Sequence, residues 1–290
     1  MILRTGSAGA GKTASVVDDI LERKVAAPWG RVWVILPTEL QVNAFRERLF
    51  SQASAADMPV FFGVQHFTFY ELYSQLLDWM CLPQRQVKTS TVYRILRSQV
   101  MALSREDQLR YFTPIVDKPG LIELLARFIY ELKQAHVNPA DFSAFAAQTG
   151  RAKDADLALI YAGYQDWIRR KGAADREGAG WLALDNLQEN SSWLKAIDLL
   201  VVDGFMQFSP LQTRLLHMLA DGVQHTIITL TYEDQRAMTA HRAFAKTLTR
   251  FSKYGLDWQH QPMPQAPDTA RSSALQHLER FFLDPEAHPV

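Results

Sequence analysis

The sequence has 290 residues, 48% hydrophobic and 11% aromatic, which is typical of a globular protein with a sizeable core. Its 31 basic and 31 acidic residues balance, so no overall field attracts nucleic acid or an anionic membrane. The single cysteine, Cys81, excludes an internal disulfide and a cysteine-based zinc or iron–sulfur site.

The chain opens on a predicted strand, a glycine-rich loop and a predicted helix. Residues 1–5 can supply a short buried strand, and residues 14–21 have the apolar spacing of a helix. Between them, residues 6–13 read GSAGAGKT and complete the pattern G-x-x-x-x-G-K-[ST] of a phosphate loop. A loop in this context predicts a site for a nucleoside triphosphate.

Each part of the loop has a chemical role. Backbone N–H groups and the helix N-terminus would face phosphate oxygens. Lys12 would reach the β- and γ-phosphates, and the Thr13 hydroxyl would bind Mg²⁺. The alternative, a chance match in a glycine-rich turn, is disfavoured by the Lys-Thr pair and the flanks. The predicted nucleotide-binding residues are Gly6, Ser7, Ala8, Gly9, Ala10, Gly11, Lys12 and Thr13.

The next segments alternate between strand and helix patterns. Residues 31–37 and 59–64 are predicted strands, whereas residues 40–50 and 66–79 are predicted helices. This alternation predicts an α/β fold, with a parallel sheet covered by helices on both faces. The loop occupies the place of a signal peptide and no run reaches ~18 apolar residues, so we expect a cytoplasmic protein outside the membrane.

The middle of the chain, residues 89–171, consists of long amphipathic segments and predicts an all-helical insert. Strand patterns resume at residues 196–203 and 226–230, around a predicted helix at 210–219. After Leu256 the sequence indicates a linker rich in Pro, Gln and Ser before a short helix at 274–283. The expected domains are a sheet domain at 1–80 and 195–258, an inserted helical domain at 81–194, and a linker with a terminal helix at 259–290.

One later strand carries a candidate metal ligand. Residues 199–203, LLVVD, form an apolar run that ends in Asp203. In a nucleotide-binding sheet, such a carboxylate beside the phosphate loop organises the magnesium shell. The alternative is an ordinary buried strand capped by an aspartate. Given the phosphate loop, we favour the magnesium role.

A family resemblance begins at the same aspartate. Residues 203–212, DGFMQFSPLQ, resemble a "VDGF-x-x-F-[ST]-P-x-Q" segment of the AddB/RexB family, the B subunits of bacterial ATP-dependent helicase–nucleases that process double-strand breaks. Those subunits are relatives of superfamily 1 helicases of the UvrD/RecB kind. Weaker likenesses in order and spacing cover nearly the whole chain: residues 34–37 resemble motif Ia, 63–77 motif Ic, 226–235 motif III, and 273–282 the segment after the first ATPase domain.

The resemblance implies a RecA-like sheet domain, ATP and Mg²⁺ as cofactors, DNA as a ligand, and an AddA/RecB-like helicase–nuclease subunit as partner. The implied DNA contacts are Thr38, His66, Phe67 and Phe69 in the motif Ia and Ic loops, with Arg46 and Arg48 among the candidates for phosphate contacts. The competing interpretation places the phenylalanines in the core and the arginines on a solvated helix face.

Two positions depart from an active superfamily 1 motif II. Gly204 stands where a glutamate would activate water, and Met206 replaces a glutamine. Gln212 and Gln235 match two other glutamines that sense the γ-phosphate. Loss of a general base costs about 10²- to 10⁴-fold in rate, so we expect ATP binding with weak or absent hydrolysis.

These 290 residues also show no counterpart of the second motor domain or the nuclease domain. Two alternatives remain open. One is an active superfamily 1 helicase or ATPase in which Asp234 or Gln235 activates the water. The other is a kinase with a phosphate loop and no link to DNA, which the DGF segment and the helical insert disfavour.

Overall fold

A computed structural model of the chain describes residues 1–56, 58, 61–232 and 242–264. Backbone contacts divide the chain into two compact units. The sheet unit consists of Met1–Leu72, Asn190–Phe208 and the described residues from Thr213 onwards; the helical unit consists of Tyr73–Glu189 and Ser209–Gln212. The predicted terminal helix, residues 274–283, lies outside the described residues.

The described residues contain eight strands and ten α-helices. The strands are β1 Ile2–Thr5, β2 Val32–Ile35, β3 Val64–Phe67, β4 Arg85–Gln86, β5 Ala173–Ala174, β6 Leu199–Val202, β7 Thr226–Leu230 and β8 Gln259–Pro262. The helices are α1 Lys12–Ala26, α2 Glu39–Ala55, α3 Phe69–Trp79, α4 Thr89–Arg105, α5 Pro119–Gln134, α6 Pro139–Thr149, α7 Ala152–Arg170, α8 Arg176–Glu189, α9 Pro210–Gly222 and α10 Arg242–Lys253. Within the described segments, none of these helices has the length and hydrophobicity to cross a bilayer.

Six strands of the sheet unit form one parallel sheet in the order β3-β2-β6-β7-β1-β8. Its central strands are apolar throughout, as expected where both faces are covered. Val32 and Val34 pack with α1 and α2 in one buried cluster. Because alternate residues face opposite sides, the burial of Trp33 and Ile35 shows that the other face is covered too. The predicted α/β fold, a RecA-like parallel sheet with flanking helices, is confirmed.

The strand order brings distant parts of the chain together. Strands β6 and β7 follow the helical segment in sequence, yet they lie between β2 and β1. In this register Val32 pairs with Leu199, and Ile2 pairs with Ile227. Since all six strands are parallel, the loops after β1, β2, β6 and β7 meet at one edge.

The predicted strand at 59–64 is wrong in its position, because β3 runs over Val64–Phe67. Pro59 and Val60 lie outside the described residues. The helix expected from His66 begins at Phe69 because Thr68 and Glu71 form a capping box. Glu71 accepts a hydrogen bond from the Thr68 N–H at 2.7 Å, and Thr68 Oγ1 accepts one from the Glu71 N–H at 3.4 Å.

The expected linker also begins too early. Residues Gln259–Pro262 form β8, which pairs with β1 at the edge of the sheet. All four residues of β8 are exposed and the segment reads QHQP, so it lacks the hydrophobic alternation by which a strand is recognised. Helix α10 precedes this strand and was not predicted.

The helical unit has a core of its own. Helices α4, α5, α6 and α7 bury one continuous apolar cluster, which includes Leu96, Leu125, Ile160 and Tyr161. The insert is not purely helical, because β4 and β5 form a two-residue parallel pair. That pair connects the segment before α4 to the turn after α7.

A buried ion pair lies beside this core. Lys133 Nζ is 2.6 Å from Asp175 Oδ1, and both residues are buried. Tyr164 donates a hydrogen bond to the other carboxylate oxygen at 2.7 Å, and the Gly178 N–H donates to Oδ1 at 2.7 Å. Burial by itself raises the pKa of Asp175, but the charge of Lys133 and the three hydrogen bonds outweigh it and leave the pKa below its ordinary value.

We expect Lys133→Met to lower the free energy of unfolding by about 3–5 kcal/mol at pH 7, because it leaves a buried carboxylate without a counter-charge. Arg169→Met is the matched control: Arg169 pairs with Asp166 but is 80% exposed, so its loss costs less than about 1 kcal/mol. Urea unfolding of both variants measures the difference.

The same experiment has a pH dependence. The stabilisation from Asp175 is present above its unfolded pKa of 3.8 and is lost as the pH falls through the lower folded value. In Lys133→Met the carboxyl group protonates more readily, so the gap between variant and wild type narrows as the pH is lowered from 7 to 4. A gap that stays constant over this range contradicts the assignment.

Candidate nucleotide-binding site

The phosphate loop, residues 6–13, joins β1 to the N-terminus of α1. Gly9 and Gly11 have φ angles of 77° and 82°, in the left-handed region that glycine adopts without strain. Gly11 is the residue before the first helical turn, and the Ser15 N–H donates to its carbonyl at 2.9 Å. The loop thereby turns sharply into a 15-residue helix, whose N-terminus carries partial positive charge.

Lys12 extends over the loop itself. Its Nζ donates hydrogen bonds to the carbonyl oxygens of Gly6 at 3.0 Å and Ser7 at 2.6 Å. An ammonium group bonds more strongly to a charged phosphate oxygen than to a neutral carbonyl. The loop therefore holds the cation where a phosphate can exchange for those carbonyls.

Thr13 and Asp203 lie together at this edge of the sheet. Asp203 follows β6, is 4% exposed, and accepts a hydrogen bond from Thr13 Oγ1 to Oδ2 at 2.8 Å. Thr229 Oγ1 of β7 donates to Asp203 Oδ1. Sequence reasoning missed Thr229, although a hydroxyl inside the apolar run TIITL was a signal that could have identified it.

The donor set suits magnesium. Hydroxyl and carboxylate oxygens are hard ligands, and Mg²⁺ commonly keeps several waters while binding one or two protein oxygens and the substrate phosphates. In the described parts of the chain, no group of three or more His, Cys, Asp or Glu side chains forms a larger metal cage. Thr13 and Asp203 are thus the side chains that would hold a magnesium ion here.

A cavity of about 580 Å³ opens beside the loop, within the range of small-molecule sites. It combines the phosphate loop with the ends of β6 and β7 and with single residues of α2 and α10. Its lining includes Gly9, Gly11, Lys12, Thr13, Arg48, Asp203, Gly204, Met206, Thr229 and Phe244.

The amino-acid sequence that forms this site matches a known protein family. The family described as "ADDB, N-terminal" matches residues 3–279. The chain belongs to the AddB family, as its N-terminal region.

Several relatives in this family are named as the B subunit of an ATP-dependent helicase/deoxyribonuclease. The proteins from Bacillus subtilis and Staphylococcus saprophyticus are each 24% identical over 98% of the chain and 25% of their own length. The protein from Moorella thermoacetica is 27% identical over 78% of the chain and 20% of its own length. The chain thus spans about a quarter or less of the relatives that it matches.

The residue that follows Asp203 in this AddB region has a left-handed backbone. Gly204 has a φ of 82°, and a Cβ there would lie 3.3 Å from Gln41 Nε2 and 3.5 Å from Pro37 Cδ. A glutamate side chain at this position would be strained. Met206 is 60% exposed and lines the cavity.

Of the two glutamines expected to sense the γ-phosphate, one lies within the described residues and the other does not. Gln212 caps the first turn of α9, where its Oε1 accepts a hydrogen bond from the Ser209 N–H at 2.9 Å. Gln235 lies outside the described residues, and so does Asp234.

The predicted DNA contacts occupy different environments. Thr38 is exposed and caps α2, where its hydroxyl accepts a hydrogen bond from the Gln41 N–H at 3.2 Å. Phe67 is 7% exposed and Phe69 is 3% exposed. Their rings pack edge-on, Phe67 against Trp33 and Phe69 against Phe205 and Phe208. This burial argues against base stacking by either phenylalanine.

We expect His66 to titrate at a pKa of about 4, because its burial and the nearby charge of Arg46 disfavour the imidazolium. Its Nε2 atom is buried without a hydrogen-bond partner among the described residues. An NMR titration of the ring, with His66→Phe to assign the signal, measures this. A pKa near the ordinary value of 6.5 contradicts the burial, whereas a value near 4 means that His66 carries no charge towards DNA at neutral pH.

We expect Gly204→Ala and Gly204→Glu each to lower the free energy of unfolding by about 1–2 kcal/mol, since a Cβ at this φ is strained whatever the side chain. Gly120→Ala is the control: Gly120 lies in the first turn of α5, and no neighbouring atom lies within 4 Å of a Cβ built there. Urea unfolding of the three variants gives the comparison. A fully stable Gly204→Ala variant would show that the segment after β6 adapts without strain.

Proposed function

We propose that this chain is the ATP-binding, helicase-like N-terminal region of an AddB-type subunit, with impaired hydrolysis. In this proposal the whole protein works in DNA double-strand-break repair and recombination in the cytoplasm, as part of an ATP-dependent helicase/nuclease complex. The observation that carries the proposal is the hydrogen bond from Thr13 to Asp203, which joins the phosphate loop to the end of β6.

Three features support ATP and magnesium as ligands. The loop presents a helix N-terminus and the ammonium group of Lys12. Thr13 and Asp203 supply oxygen ligands for the metal. When bound, Mg²⁺ neutralises part of the phosphate charge, while this chain's own residues bind and orient the triphosphate.

The same site supports slow turnover. Gly204 has no side chain to abstract a proton from an attacking water, and its left-handed backbone strains any replacement. Loss of a general base commonly costs about 10²- to 10⁴-fold in rate, or roughly 3–5 kcal/mol of barrier. ATP would then act as a structural or regulatory ligand.

The partner and the DNA role rest on the family. The names of the relatives describe the B subunit of a helicase/deoxyribonuclease, which implies at least one other subunit. We propose an AddA/RecB-like helicase–nuclease in that place. For DNA contact, the exposed Thr38 at the start of α2 and the exposed Arg46 of the same helix are candidates that the fold leaves accessible.

Lys12→Ala tests the binding proposal. We expect wild-type chain to bind Mg·ATP and the variant to lose about tenfold or more in affinity, because the variant lacks the cation that pairs with the phosphates. Isothermal titration calorimetry measures both, with the exposed Lys153→Ala as a control that keeps wild-type affinity.

Turnover in the same samples separates the alternatives. We expect slow hydrolysis with and without single-stranded DNA. Lys12-dependent, DNA-stimulated turnover of several per second would favour the active helicase. Phosphate transfer to a small acceptor would favour a kinase, and wild-type chain without ATP affinity would refute the proposal.

A further inference from the structure

A second cation lines the cavity of the phosphate loop. Arg48 belongs to α2, is exposed, and lines this cavity together with Lys12, Asp203 and Gly204. It also lines an adjoining cavity beside Ala14 at the start of α1. In the part of the chain that the structure describes, its guanidinium makes no hydrogen bond or ion pair.

The position of Arg48 follows from a firmly packed helix. Val42, Phe45 and Leu49 of α2 are buried in the cluster that α2 shares with α1 and the sheet. Arg48 lies seven residues after Gln41, which is two helical turns, so both lie on one face of α2. The Gln41 amide is the group nearest to a Cβ built at Gly204, so this face is turned towards the segment after β6.

The other charged groups of the cavity already have partners, so Arg48 is available to bind a negatively charged ligand. The Asp203 carboxylate already accepts hydrogen bonds from Thr13 and Thr229, and Lys12 bonds to the loop carbonyls. A triphosphate carries more negative charge than one lysine and one metal ion neutralise. A guanidinium offers several N–H donors in a planar fork that fits a terminal phosphate in a bidentate manner.

We propose that Arg48 binds the terminal phosphate of the nucleotide and makes the site prefer ATP to ADP. This inference rests on the proposed ATP binding. The terminal phosphate is the best match because Arg48 shares the cavity with Asp203, which would hold Mg²⁺, and with Lys12, which would reach the β- and γ-phosphates. The sequence had suggested a DNA phosphate as the contact of Arg48, and the cavity points to the nucleotide.

The test compares Mg·ATP and Mg·ADP affinities of the full chain by isothermal titration calorimetry. We expect Arg48→Ala to weaken ATP binding about tenfold and ADP binding less than about twofold, because ADP lacks the phosphate that the guanidinium contacts. Arg48→Lys keeps the charge but not the fork, and should recover part of the loss. Arg127→Ala, at an exposed arginine of α5 that does not line this cavity, should leave both nucleotide affinities unchanged.

Each of the following outcomes would contradict either the role of Arg48 or the proposed ATP binding. If wild-type chain binds ATP and Arg48→Ala binds it equally well, the role of Arg48 is refuted and the proposed ATP binding stands. Equal losses for ATP and ADP would place Arg48 on an inner phosphate and refute the terminal contact. If Arg48→Ala loses single-stranded DNA binding and keeps its ATP affinity, Arg48 contacts DNA and not the nucleotide. If wild-type chain binds neither nucleotide, the proposed function fails, and this inference fails with it.

Discussion

The buried carboxylate of Asp203 is the contact on which the site depends. Its two oxygens accept hydrogen bonds from Thr13 at the start of α1 and from Thr229 of β7. Its backbone N–H donates to the carbonyl of Ile35 in β2 at 3.1 Å. One residue thus fixes the ends of three adjacent strands relative to the phosphate loop. A buried carboxylate is tolerated only when such donors surround it, so both hydroxyls are necessary to the fold.

Local signals in the sequence were enough for the loop and for most elements of the sheet. The glycines and Lys12 act within eight consecutive residues, and an apolar run that ends in Asp203 identifies a strand end. Other features depend on contacts that no local pattern reveals. The exposed, polar β8 is recognisable only through its pairing with β1. Arg48 looks like any charged residue on a helix surface until the sheet places α2 beside the loop.

The aromatic residues also show that a local sequence pattern does not distinguish between two roles. A phenylalanine can stack on a base or fill a core, and its local sequence is the same in both cases. Phe69 is enclosed by Phe205 and Phe208, which belong to the DGF segment more than a hundred residues later. The family resemblance of that segment therefore has a packing component: its phenylalanines complete the core beneath the cavity, while its aspartate faces the loop.

The position of β6 and β7 in the middle of the sheet also governs how the chain can fold. The backbone hydrogen bond from Arg31 to the Asp198 carboxylate spans 167 residues, and the neighbouring strand pairs are just as distant in sequence. The helical unit, whose core lies within residues 95–168, can form from contacts closer in sequence. During synthesis, β1 and β2 therefore leave the ribosome before β6 and β7, their central neighbours in the sheet, because the helical segment lies between them in sequence. Premature pairing of the exposed edges of β1 and β2 is the hazard that this topology creates.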